Sequence, residues 1–289
     1  MFSHALASRG EADFDLYPYT PSAEAGYTFL ALFVIGGVTH LIMMASLRSW
    51  SFIPFILGCA GEAAGYYCRA WSSSNIRHGS PYLIQLMLIL ASAPLIAATV
   101  YMTLGRLIRA LDAEELAVLS PRWTTKIYVL IDIVSFLCQL AGSAMQASGD
   151  IEGVKTGNTV VMAGLGFQLV AFALFIMTAG IFHRRLNQQP TQTSKRPHVM
   201  WRRHMWSLYA VSMLIILRST FRLIEFALGP KGLLYKTEVC MYAFDASLMF
   251  LVVVDMAIVH PGLLFRVIRK AEIITISDDD DDSKAILLR

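Results

Sequence analysis

Residues 216–229, ILRSTFRLIEFALG, set Arg218, Arg222 and Glu225 in a run that is otherwise mostly Ile, Leu, Phe and Ala. Intervals of four and three put all three on one helical face. Their guanidinium and carboxylate groups can therefore neutralise one another or reach charges on a neighbouring helix. The same periodicity recurs elsewhere. Glu62, Tyr66 and Arg69 share a face, Asp132, Gln139 and Gln146 fall at intervals of seven, and Glu238, Tyr242 and Asp245 form another aligned set. Asp255 adds a further acidic residue, and Gln168 a polar group within a fifth apolar run. Each charged segment carries one polar stripe.

The surroundings of these stripes are apolar enough to be lipid-embedded. The chain has 289 residues, of which 56% are hydrophobic and 16% charged, against roughly 45–50% and 25% in soluble domains. Seven stretches reach the ~20 residues that a helix needs to cross a bilayer: 25–46, 51–71, 82–105, 125–147, 158–182, 206–228 and 237–261. The loops between them are short, so one all-α bundle of seven transmembrane helices over 25–261 is expected. An N-terminal tail (1–24) without the basic start and apolar core of a signal peptide and a C-terminal tail (262–289) flank it.

Lys and Arg concentrate after spans one, three and five and after the last span, with Arg184, Arg185, Lys195, Arg196, Arg202 and Arg203 in the fifth loop. Because cytoplasmic loops carry the excess, the N-terminus is expected outside, as an extracellular or lumenal tail, and the C-terminus in the cytoplasm. The acidic run SDDDDDSK at 277–284 is expected to be a disordered part of the cytoplasmic tail.

An isolated charge at the bilayer centre costs about 2.5–3.5 kcal/mol, so charges inside spans face the bundle interior and seek partners. Counting ~1.5 Å per residue from the cytoplasmic ends of alternating helices puts Arg218 near the level of Glu62. It likewise matches Arg222 with Asp245, Glu225 with Arg69, and Gln139 with Gln168. The stripes are thus expected to meet around one polar interior, either as a path for a polar group or purely as ion pairs that lock helix packing. Gly58, Gly61, Gly65, Gly142, Gly164 and Gly166 would permit close helix approach.

Several chemistries have no support. There is no GxxxxGK[ST] loop for ATP, no HExxH or GxSxG motif, and no Lys in the seventh span to hold retinal. Cys59, Cys68, Cys138 and Cys240 lack CxxC spacing and the histidines lack metal-ligand spacing, so neither a metal nor a cofactor is expected. Nothing points to nucleic acid, and without a nucleophile or metal signature the chain is not expected to be an enzyme.

The ordered motifs add a family. YPYTPS (17–22), His40, GEAAGYYCR (61–69), SAPLIAATVYMTLGR (92–106), DIVSFLCQLAG (132–142), GLGFQL (164–169), LRSTFRLIEFALG (217–229), EVCMYAFDASLM (238–249) and HPG (260–262) together resemble the fungal RTA-like lipid-translocating exporters. Ser143 stands where a second glycine would be expected.

That family is linked to resistance against aminocholesterol and sphingoid bases and to porphyrin-related or sterol-derivative transport. The resemblance implies a plasma-membrane protein, or one of other endomembranes, that moves amphipathic lipids such as sphingoid long-chain bases without hydrolysing ATP. Its motifs fall on Glu62, Tyr66, Arg69, Asp132, Gln139, Gln168, Arg218, Arg222, Glu225, Glu238, Tyr242 and Asp245, and also on Gln85, Tyr101, Arg106, Phe221 and His260. In this reading carboxylates receive a cationic or hydroxyl-bearing headgroup while arginines orient them. A seven-helix receptor or sensor for a lipid or small amphipathic ligand is the alternative.

The topology has a direct check. In sealed cells, a cysteine introduced near residue 10 should react with a membrane-impermeant maleimide, and one introduced near residue 196 should react only after permeabilisation. The reverse pattern would invert the bundle.

Overall fold

The computed structural model describes residues 19–74, 76–77, 79–146, 151–228 and 237–268. Most of the expected N-terminal tail and the acidic run lie outside these residues, as does the side chain of Gln146. Seven long helices and no strand occur among the described residues. They are α1 (Ala23–Leu47), α2 (Ile53–Ser72), α3 (Gly79–Ala110), α4 (Pro121–Gln146), α5 (Ile151–Gln188), α6 (Trp201–Leu228) and α7. The last is composed of Glu238–Met241, a π-helical turn Tyr242–Ala246 and Ser247–Ile258. A short α8 (261–268) follows the His260-Pro261-Gly262 corner.

The helix boundaries have local causes. Ser22 caps α1 by accepting a hydrogen bond from the Ala25 amide. Pro54 sits in the first turn of α2, where its missing N–H costs nothing, and Pro261 opens α8. Pro94 lies inside α3. Helices α3 and α5 extend beyond the expected spans, by whole turns of polar sequence at their ends.

The seven helices form a closed ring in chain order, each packed on the next and α7 returning to α1, while α3 also touches α6 across the middle. Phe33, Tyr66, Ile96, Tyr101, Phe172 and Val211 belong to one continuous apolar core. Outside, the chain presents apolar side chains to its surroundings, as along α1, where Val34, Ile35, Val38, Leu41 and Ile42 are all exposed. So extensive an apolar exterior is what lipid covers. Exposed aromatic residues gather at both ends: Tyr27, Tyr67 and Trp71 at one, Trp50, Trp123 and Trp206 at the other. Trp and Tyr take these positions at membrane interfaces.

Among the described residues five segments are long and apolar enough to cross a membrane by length and composition: α1, α3, α4, α5 and α7 together with α8. Helices α2 and α6 fall short because they carry the charges. Glu62, Arg69 and Arg218 are nevertheless buried, so these two helices spend their polar groups on the bundle interior.

Close packing relies on glycine at two seams. A Cβ at Gly142 of α4 would come within 2.6 Å of the Gly157 carbonyl oxygen and 2.9 Å of the Val161 amide of α5, and one at Gly164 within 2.9 Å of the Ser135 carbonyl oxygen. Along α2, Gly58 and Gly65 would drive a Cβ to 2.6 Å from Ile96 and Ile89 of α3, and Gly61 would drive one into Ser92. Gly166 differs from the expectation, since nothing lies within 4 Å of the place its Cβ would take. The face opposite Gln168 and Gly164 is not a helix contact.

Gly142→Ala should therefore lower stability by about 1–3 kcal/mol, because the obstructing atoms are backbone and cannot rotate away. Gly166→Ala should be neutral or mildly stabilising. Thermal unfolding of the purified protein measures both, and equal behaviour would remove the packing role of Gly142.

Candidate functional site

The charged stripes of α2, α6 and α7 converge inside the ring. On α6, the four-residue step from Arg218 to Arg222 presents two guanidinium groups to the same neighbour. On α7, Asp245 lies in the π-helical turn, where the backbone accommodates an extra residue and the local facing of side chains shifts. One oxygen of Asp245 lies 2.5 Å from Nε of Arg218 and the other 2.5 Å from Nη2 of Arg222. The aspartate is 0% exposed and Arg218 5%. Arg222 also donates from Nη1 to Glu225, 3.2 Å away and one turn further along α6. Asp245 therefore bridges two arginines, and Arg222 bridges two carboxylates.

Arg69 of α2 sits in a second knot at the α1 N-terminal end of the bundle. Its Nε donates to the Tyr242 hydroxyl at 3.0 Å and its Nη2 to the Tyr19 hydroxyl at 2.8 Å and to Glu238 at 3.1 Å. Glu238 accepts in turn from the Ser22 amide, at 2.9 and 3.1 Å. The depth match of Arg69 with Glu225 is thus one of level, since Arg69 acts on Glu225 electrostatically, while the ion pairs join Glu225 to Arg222 and Arg69 to Glu238. Tyr19 and Ser22 were absent from the candidate residues. Their signal was the YPYTPS motif, which lies outside the span and shows no helical periodicity.

Glu62 occupies a singular position. It is 0% exposed, and neither carboxylate oxygen has a hydrogen-bond partner among the described residues. Arg218, Asp245 and Arg222 all act on it electrostatically, Arg218 most strongly. The expected level match of Glu62 with Arg218 is thus present, but the ion pair of Arg218 is with Asp245. Tyr66, one turn along α2 and also 0% exposed, has a hydroxyl without a partner. Its ring stacks on Phe33 at 5.7 Å and lies 6.0 Å from that of Tyr242, which stacks on Phe29 at 5.2 Å. An aromatic wall from α1 thus closes this side of the charged group.

The remaining candidates form a separate group between α3, α4 and α5. Gln139 donates to Gln168 at 3.2 Å, as the depth count expected. Asp132 is 1% exposed and faces the Tyr101 hydroxyl, yet neither group completes a hydrogen bond of normal geometry, and the Ser135 hydroxyl is also unpartnered. The bonds described thus gather the polar side chains into two groups rather than around one interior. At the opposite end of the bundle from Arg69, Nε2 of His40 lies 3.0 Å from the Val253 carbonyl oxygen, and Nδ1 of His260 accepts from the Gly262 amide at 3.1 Å. Asp255 of α7 is bonded by the Ser207 hydroxyl of α6. No group of three or more His, Cys, Asp or Glu suited to a metal occurs among the described residues.

Charge balance defines what the first group can do. Arg69, Arg218 and Arg222 face Glu62, Glu225, Glu238 and Asp245, so three guanidinium groups meet four carboxylates. Every arginine bonds a carboxylate other than Glu62. With all four carboxylates ionised, one monovalent cation completes the balance, and among the described residues Glu62 and the Tyr66 hydroxyl offer acceptors without a hydrogen bond.

Comparison with known proteins is consistent along the chain. The model of a family described as RTA1 like protein matches residues 55–268. The chain is 33% identical to protein RTA1 of Saccharomyces cerevisiae over 280 residues, covering 88% of this chain and 87% of that protein. It is 32% identical to protoporphyrin uptake protein 1 of the same yeast over 306 residues, covering 92% and 98%. It is 25% identical to the yeast sphingoid long-chain base transporter RSB1 over 281 residues, covering 85% and 73%. No solved structure matches the chain.

Removing one partner of a buried ion pair strands the other, at about 3–5 kcal/mol. Asp245→Asn leaves two arginines without their shared anion and should lower stability by at least that amount. Glu62→Gln removes an unpartnered buried carboxylate and should leave stability unchanged or raise it. Thermal unfolding in matched detergent separates the two, and a Glu62→Gln loss as large as that of Asp245→Asn would mean Glu62 holds the fold together.

Proposed function

The chain belongs to the RTA1-like protein family, and we propose that it moves amphipathic lipids with a cationic head, such as sphingoid long-chain bases, between the leaflets of a membrane or out of it. The observation that carries this reading is Glu62: a wholly buried carboxylate with both oxygens free, in a group where every arginine already bonds another acid. An ammonium head is the complement of that site in charge and in hydrogen bonding, because it donates where Glu62 and Tyr66 offer acceptors. Arg218, Arg222 and Arg69 hold the other carboxylates in place.

The hydrocarbon tail of such a substrate can stay in lipid while its head crosses through the bundle, which avoids most of the cost of taking a charge through hydrocarbon. No ATP is needed for movement down a gradient, and the motifs for its hydrolysis are absent from the sequence. A relative named for sphingoid base transport supports the substrate class, and the one named for protoporphyrin uptake supports a second reading, in which the cargo is a flat amphipathic acid. The excess of carboxylates over arginines favours the cation.

Reconstitution into liposomes tests the proposal. With a fluorescent sphingoid base as probe, the protein should accelerate transbilayer movement, and Glu62→Gln should slow that movement about ten-fold or more without loss of stability. Unlabelled sphingosine should compete better than protoporphyrin. Binding without acceleration would make the protein a sensor, and wild-type rates in the Glu62→Gln protein would remove the ammonium site.

A further inference from the structure

A cavity of about 210 Å³ opens at the end of the bundle opposite Arg69, where α1 ends, α3 ends and α8 begins. Arg48, Arg106 and Arg266 line it, together with Ser46, Ser49 and Phe265, and no acidic side chain among the described residues does. The three arginines come from three separate elements, so their assembly is a product of the tertiary fold rather than of a basic run in the sequence.

Closure of the helix ends does not use the Arg48 and Arg106 side chains. Arginines near helix C-termini often satisfy the last carbonyl groups, but α1 closes with its own backbone. The Arg48 amide donates to the Ala45 carbonyl at 3.4 Å and the Ser49 amide to that of Met44 at 3.0 Å. At the end of α3 it is Arg109 that donates to the Gly105 carbonyl. Arg106 instead donates to the Ser51 hydroxyl, and its guanidinium lies 4.8 Å over the ring of Phe265. That cation–π contact holds it at the cavity wall.

One observation points to an occupant. Ser49 lines the cavity, is 2% exposed, and has a hydroxyl with no hydrogen-bond partner among the described residues. Arg48 holds a left-handed backbone, φ 50° and ψ 41°, at the position where glycine ends such helices without strain. The backbone there carries a side chain at a cost of order 1 kcal/mol.

We propose that this cavity binds a phosphate monoester: three guanidinium groups supply charge-assisted donors and the Ser49 hydroxyl a further one. The level of the cavity favours a lipid headgroup as its source. Trp50, 63% exposed, follows Ser49 directly, and exposed Trp123 and Trp206 mark the same end of the bundle as an interfacial aromatic belt. Anionic headgroups concentrate at such a surface. The site is separate from Glu62 in residues and opposite in charge, so it acts as a second, anion-selective position, suited to anchoring or regulating the protein by the lipid around it.

The test uses the full chain in detergent, titrated with dioctanoyl phosphatidic acid, dioctanoyl phosphatidylcholine or inorganic phosphate, with affinity read by calorimetry. Phosphatidic acid should bind more tightly than phosphatidylcholine. Arg48→Gln and Arg266→Gln, both exposed and therefore safe for folding, should each weaken phosphatidic acid about ten-fold. Arg122→Gln, on the same basic end but outside the cavity, should leave affinity unchanged. Competition by inorganic phosphate at similar affinity would support the site with free phosphate as its source, and failure to compete would support the lipid. Equal losses in the Arg48, Arg266 and Arg122 variants, or no preference for phosphatidic acid, would overturn the proposal.

Discussion

The structure depends on one aspartate shared by two arginines. In a bundle surrounded by lipid, hydrophobic burial does little to press one helix against another, because the tails are as apolar as the side chains. Asp245 supplies what burial does not. It draws Arg218 and Arg222 of α6 onto α7 at 2.5 Å each, in a region with almost no solvent exposure to screen the attraction. The polar segments α2 and α6 become possible as membrane helices only because this interior receives their charges. The glycine seams between α2 and α3 and between α4 and α5 do the complementary work, bringing backbones close where no charge holds them.

Most of this architecture was readable from periodicity. Seven apolar runs gave seven helices, and the intervals between charged residues identified the faces that turn inward. The depth count placed Arg222 with Asp245 and Gln139 with Gln168, and both pairs are bonded. Its failures have a physical cause. A rise per residue gives the level of a charge, not which of several charges at that level it pairs with: Arg218 lies near Glu62 and Arg69 near Glu225, yet their ion pairs go to Asp245 and Glu238. Periodicity also says which residues share a face but not how far that face is rotated. The stripes on α4 and α5 consequently could not be distinguished from those on α2, α6 and α7, and the division into two polar groups was invisible. Ser22 and Tyr19 were missed because they act from outside the helices, where no period exists to mark them. The arginine cavity went unseen because its three arginines are distant in sequence and meet only through the fold.

The same interactions constrain how a buried Glu62 can ever meet a substrate. Reaching it requires helices to part, and the cost of parting differs between seams. Separating α6 from α7 would break Asp245 from two arginines in a region with no solvent to replace the lost bonds, so these two helices move as one body if they move at all. The tie between α2 and α7 is of another kind. Arg69 bonds Glu238, whose side chain is 19% exposed and already shared with the Ser22 amide. Water or a headgroup can take its place at lower cost than at Asp245, and the Tyr242 and Tyr19 hydroxyls can keep Arg69 partly satisfied meanwhile. Under the proposed function, an opening of α2 away from the paired α6 and α7 would break a more exposed ion pair than those at Asp245.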